Sequence, residues 1–292
     1  MKTAFSKDLR GGALMALTMA LYTANDAVVK MLGESLPLGA IISLRGVMIM
    51  ALILALVLIM PGHGLASLRW LGNRAVLIRA AWDTAVTILY LTALLHMPIA
   101  NILAIMNLSP LAIIPLAAWR LGEAVGPRRI LAVIAGFTGA LLVVRPGTEG
   151  FNIWALLAFL AMLGVAGRDI STRHIPPNAP ALVIALGNIL MVQALGLLLW
   201  ALAPAGGWPQ PHQWLMLAGC ALFLGAAYVL IIVVVRIAPV SRTAVWRYSI
   251  ILWGVLAGWL AFGQIPDACA LTGIALILAS SLYVSLHQAH GT

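Results

Sequence analysis

The sequence predicts an all-α membrane protein of ten transmembrane helices. Three observations predict it: 63% of the 292 residues are hydrophobic and only 9% are charged, the mean hydropathy is +1.06, and apolar runs of about 18 residues or more recur from end to end, the length a bilayer demands of a helix. Runs such as "ALILALVLIM" and "AYVLIIVVV" are continuously apolar, whereas membrane β-strands are short and alternate apolar with polar residues.

The spans follow from Pro, Gly and Arg punctuation, at roughly 11–33, 38–60, 75–96, 99–119, 128–144, 151–171, 180–203, 212–235, 239–262 and 268–286. Span 1 follows the basic segment "MKTAFSKDLR" and reads as an uncleaved anchor. Pro37 precedes span 2, and Arg69 and Arg74 precede span 3. Span 4 carries Pro110 and Pro115, each of which removes an internal hydrogen bond and favours a bend. Span 5 carries Gly136 and Gly139, and span 9 carries Gly254 and Gly258, spacings that suit close helix packing. Cys220 and Cys269 fall within spans 8 and 10 and read as buried thiols. The formal charge of +9 is a topology signal rather than a nucleic-acid signal. With the N-terminus inside, nearly all Lys and Arg fall at cytoplasmic ends; Lys30 and Arg145 fall outside. Both termini are therefore expected in the cytoplasm of an inner-membrane, multi-pass protein.

The chain resembles itself. "NDAVVKMLGESLP" (25–37) aligns with "RDISTRHIPPNAP" (168–180), placing Asp26 on Asp169 and Pro37 on Pro180. Further on, Pro98 aligns with Pro239, Asn107 with Tyr248, and Glu123 with Gln264. Five spans per repeat, an odd number, make the second copy antiparallel to the first, an arrangement common in secondary transporters. The expected units are 1–146 and 147–292.

Several segments resemble the drug/metabolite transporter superfamily, in particular its ten-helix EamA branch: "NDAVVKML" and "ISLRG" in spans 1 and 2, "LTALLHMPIANILAIMNLSPLAIIPLAAWRLGE" across spans 3 and 4, "GALLVVRPG" after span 5 and "RYSIILWGVLAGWLAFGQIPD" across span 9. Gln264 departs from the pattern, which has Glu at that place in both halves. The resemblance implies two inverted five-helix repeats, a central cavity lined by helices 1, 3, 4, 6, 8 and 9, and small organic solutes as cargo.

A charge inside the membrane needs a partner or water. At about 1.5 Å per residue, Asp26 lies about 10 Å below the outer surface, with Lys30 close to that surface, where a lysine can snorkel, and Arg45 of span 2 at a depth similar to that of Asp26. Asp26 with Arg45 is read as an outer gate or a structural brace. On the inner side, Asp83 and Arg247 reach similar depths; Arg79, four residues before Asp83, competes for it. Asp83 is the candidate coupling residue, with a proton as the coupling ion. Arg247, Trp246, Tyr248, Tyr90, Asn101 and Asn107 are the candidate substrate contacts, because a guanidinium suits a carboxylate and Tyr and Trp suit an amphipathic solute.

No HExxH, GxSxG or P-loop pattern occurs, and the six His residues are scattered. No catalytic residues, metal site or cofactor are expected, and no nucleic-acid partner. The expected function is secondary active transport of a small organic metabolite by a monomer or homodimer. The first reading is export of an amino acid or related carboxylated compound. Uptake of a vitamin- or nucleoside-like metabolite is the alternative. A passive channel or an integral membrane enzyme is disfavoured.

Overall fold

The computed structural model describes residues 2–59, 65–112, 114, 126–144, 153–202, 208–237 and 240–289. Pro115, Glu123, Arg145, His63 and His290 lie outside the described residues. The helices, in chain order, are α1 (Lys2–Leu32), α2 (Leu38–Ile59), α3 (Arg74–His96), α4 (Ile99–Met106), α5 (Pro127–Val144), α6 (Ile153–Thr172), α7 (Ala181–Leu202), α8 (Pro211–Ile237), α9 (Val240–Arg247), α10 (Ser249–Phe262) and α11 (Ala268–Ala289), with a 3₁₀ segment at Leu65–Gly72. Among the described residues seven helices are long and apolar enough to cross a bilayer, and Ile99–Ala112, Ile130–Val144 and Ala268–Val284 are shorter apolar helices. These segments fall on the ten predicted spans. Lipid offers backbone groups no hydrogen bonds, so apolar runs of this length satisfy themselves as helices.

Local chemistry sets the ends. Asn73 caps α3, its side chain accepting from the Ala75 N–H at 2.9 Å. Gly263 ends α10 in the left-handed region at φ 63°, and the Gln264 N–H returns to the Gly258 carbonyl.

Packing exchanges partners between the halves. α1 packs most extensively on α8, while α6, its counterpart in the repeat, packs on α3; α2 pairs with α7 and α5 with α11. α1 also meets α9 and α10, where the Trp253 indole donates to the Ala16 carbonyl at 3.0 Å. Glycine permits a close crossing of α5 and α11. A Cβ on Gly139 would come within 2.7 Å of the Gly273 carbonyl oxygen, and one on Gly273 within 2.5 Å of the Gly139 oxygen. Gly254 likewise lies against Leu103 and Ala100 of α4.

Spans 4 and 9 each break at corresponding residues. α4 stops at Met106, turns at Asn107 and Leu108, and resumes at Ser109; Pro110 has no N–H to give the Met106 carbonyl. α9 stops at Arg247 and α10 begins at Ser249, with Tyr248 between them. There the Ser249 hydroxyl donates to the Trp246 carbonyl at 2.7 Å, a local bond that competes with regular helix.

Candidate functional site

A cavity of about 420 Å³ runs between the two halves. It is lined by spans 1, 3, 4, 6, 8 and 9, as the resemblance implies, and also by spans 2 and 7, which contribute Arg45 and Gly46 and Asn188 and Gln193. Small residues at the α2–α7 crossing make this possible: Gly39 of α2 lies against the backbone of Leu199 and Trp200, and Gly196 of α7 against Ile42.

One end of the cavity is dry. Asp26 and Arg45 are each 7% exposed, yet no ion pair joins them among the described residues. Asn25 stands between, accepting from Arg45 Nη1 at 3.1 Å and donating from Nδ2 to Asp26 Oδ1 at 3.1 Å. The other oxygen of Asp26 accepts the Tyr90 hydroxyl at 2.5 Å. Adjacent residues on a helix point about 100° apart, so Asn25 reaches α2 while Asp26 turns toward α3. The expected direct pair of Asp26 with Arg45 is thus replaced by a four-residue chain, Arg45–Asn25–Asp26–Tyr90. Beyond it, Lys30 is buried rather than snorkelling. Its ammonium donates to the carbonyls of Leu94, at 2.8 Å, and Met97, and lies 5.6 Å from the Phe262 ring centroid. A cation placed on the last carbonyls of α3 satisfies groups that a helix end leaves open and complements its dipole.

The opposite end is wetter. Asp83 pairs with Arg168 Nη1 at 3.0 Å, with side-chain exposures of 18% and 26%, and Arg168 also pairs with Asp169 at 3.0 Å. Neither Arg79 nor Arg247 takes Asp83: Arg79 Nε donates instead to Thr172 Oγ1 at 3.0 Å. Arg168 was hidden from sequence reasoning because hydropathy places it at a helix end. The repeat held the signal, since Arg168–Asp169 occupies the place of Asn25–Asp26 in the first half.

Of the candidate substrate contacts, Tyr90, Asn107 and Arg247 line the cavity. Arg247 is exposed and has no ion-pair partner within 4.0 Å among the described residues. Trp246, Tyr248 and Asn101 are not among the lining residues. The Trp246 indole covers Gly12 of α1. The Tyr248 hydroxyl donates to the Ser281 carbonyl of α11 at 3.1 Å. Asn101 borders a second cleft of about 330 Å³ beside Gln264 and Asp267. Asn107 donates to the Leu103 carbonyl at 2.7 Å, and its own carbonyl accepts the Ser281 hydroxyl at 3.1 Å.

A membrane bundle with a polar central cavity can bind a solute between two halves that move against each other. Comparison with known proteins agrees. The chain is 25% identical over 282 residues to a riboflavin transporter of Brucella anthropi, covering 95% of this chain and 99% of that one. It is 26% identical over 289 residues to a pseudopaline exporter of Pseudomonas aeruginosa, covering 95% and 96%. A solved crystal structure shares the fold at a TM-score of 0.64 and 20% identity, covering 98% of each chain. The EamA-like transporter family matches twice, over residues 9–145 and 152–286, and this chain belongs to that family, a multi-pass membrane protein that transports small molecules.

Proposed function

We propose that the chain is a secondary active exporter of an amino acid or related carboxylated metabolite, working by alternating access in the inner membrane with both termini cytoplasmic. The two units, 1–146 and 147–292, act as inverted repeats, and the exchanged packing of α1 and α6 supports that reading.

The charge inventory of the cavity carries the substrate class. Its lining holds Arg45, Arg168 and Arg247 against Asp26 and Asp83. The aspartates are engaged by Asn25, Tyr90 and Arg168, which leaves Arg247 to meet cargo. A guanidinium presents a planar fork to a carboxylate. Closure at the Asp26 end and exposure at the Asp83 end present the site to the face bearing the inner ends of α3 and α6, which suits loading from the cytoplasm. The exporter among the relatives is in keeping with this direction. Uptake of a vitamin-like solute is the second reading, favoured by the neutral amides and tyrosines of the same cavity.

Purified protein in liposomes preloaded with candidate amino acids tests the proposal. Counterflow that accelerates with substrate on the trans side is the expected result. A flux that grows linearly with gradient and shows no trans-acceleration indicates a pore and overturns it.

A further inference from the structure

The charged groups do not exhaust the polarity of the cavity. Span 7 contributes Asn188 and Gln193, which are 7% and 6% exposed and line the cavity. Among the described residues neither the nitrogen nor the oxygen of the Gln193 amide has a hydrogen-bond partner, and Asn188 Oδ1 has none. By contrast, Thr18 donates to the Leu14 carbonyl and Thr84 to the Ala80 carbonyl, whereas single atoms of Ser43, Arg79 and Gln264 also lack a partner among the described residues. A buried amide with both ends open is costly unless something binds it. Room has been left for it on the facing helix, where any Cβ on Gly46 would collide with the Gln193 oxygen. Tyr22 and Tyr228 line the same cavity with their rings edge to face, centroids 6.5 Å apart.

The repeat explains why this side is neutral. Asn188 occupies in span 7 the place of Arg45 in span 2, so one repeat brings a guanidinium to the cavity and the other an amide.

We infer that Asn188 and Gln193 form a subsite for a planar ring bearing a cyclic amide edge, a carbonyl beside an N–H. The Gln193 amide donates its N–H to the ring carbonyl and accepts the ring N–H with its oxygen, a matched pair of bonds. Asn188 Oδ1 accepts from a second ring or exocyclic N–H. This rests on the carrier reading above and deepens it: the cargo carries a carboxylate toward the arginines and a lactam or imide toward span 7.

The test measures binding to the full chain in nanodiscs with radiolabelled orotate (carboxylate and imide), uracil (imide alone) and benzoate (carboxylate alone), using N1,N3-dimethylated orotate and uracil, which have no ring N–H, as competitors. The parent pyrimidines are expected to compete better than the N1,N3-dimethyl forms by about tenfold or more, because dimethylation removes both ring donors and leaves a buried acceptor unpaired. Gln193→Leu should erase that ratio while benzoate binding persists, and Gly46→Ala, which displaces the same side chain, should do the same. The inference is overturned if parent and methylated forms bind alike to the unsubstituted protein, a comparison that needs no variant to fold. It is equally overturned if the ratio survives Gln193→Leu, or if benzoate binds and no pyrimidine does. Failure of the carboxylate reading looks different: Arg247→Ala would leave orotate binding unchanged while the uracil ratio held.

Discussion

Asn107 and Tyr248 hold corresponding positions in the two repeats, each at the residue where a membrane helix breaks, and Ser281 is bonded to both. The Ser281 hydroxyl donates to the Asn107 carbonyl, and the Ser281 carbonyl accepts from the Tyr248 hydroxyl. Ser281 itself is fully buried. Ser281→Ala leaves the Asn107 carbonyl without that donor and should cost about 1 kcal/mol of stability, read as a lowered melting midpoint in detergent. Ser281→Thr keeps the hydroxyl and should restore part of the loss.

The chain Arg45–Asn25–Asp26–Tyr90 closes the dry end of the cavity. Asp26→Asn and Tyr90→Phe each remove part of it. An Ile42→Cys reporter in the cavity should then react with an outer, membrane-impermeant maleimide several-fold faster than in the parent. Unchanged labelling of a normally inserted protein reduces the chain to a brace between spans 1, 2 and 3.

Asp83 and Arg168 come from different repeats and meet at 3.0 Å, with both side chains partly exposed. A double-mutant cycle of Asp83→Asn and Arg168→Gln should give a coupling energy of about 1–3 kcal/mol. The same Asp83→Asn variant examines proton coupling. Wild-type accumulation is expected to respond to an imposed pH gradient, and the variant to exchange substrate without that response.

Arg247 lines the cavity with no ion-pair partner among the described residues. Arg247→Lys keeps the charge and loses the fork, so transport of a carboxylated substrate should fall substantially, and Arg247→Ala should lower it further. Neutral analogues of the same size should lose less. Wild-type rates in Arg247→Ala with normal insertion would assign the residue to protein rather than cargo.

Gly139 and Gly273 meet backbone to backbone across α5 and α11. Because the neighbouring atoms are carbonyl oxygens rather than flexible side-chain ends, neither helix yields without parting. Gly139→Val or Gly273→Val should destabilise by roughly 1–3 kcal/mol or more, seen as earlier heat-induced aggregation in detergent.

Spans were legible in the sequence because a bilayer imposes one length and one polarity on every helix. The repeat was legible because Asp26 and Pro37 keep one offset from Asp169 and Pro180, and Pro98 keeps nearly the same offset from Pro239. Partner choice was not, because it depends on side-chain direction about a helix axis. Asp26 and Arg45 share a depth, yet Asn25 is the residue turned toward span 2. The depth of Lys30 suits snorkelling, but the end of α3 supplies carbonyls within its reach. Trp246 and Tyr248 flank Arg247 in sequence and still face α1 and α11, since consecutive residues cannot all point into one cavity.

The exchange of packing partners has a consequence for biogenesis. α1 leaves the ribosome well before its most extensive partner, α8, which begins only at Pro211. At translation rates of roughly 5–20 residues per second, α1 waits about 10–40 s with Asn25 and Asp26 unshielded by that helix. During that interval the membrane insertion machinery, or the earlier helices in a provisional arrangement, must shelter a carboxylate that the finished protein encloses. Substitutions that polarise α1 further therefore act on the yield of inserted protein before they act on transport.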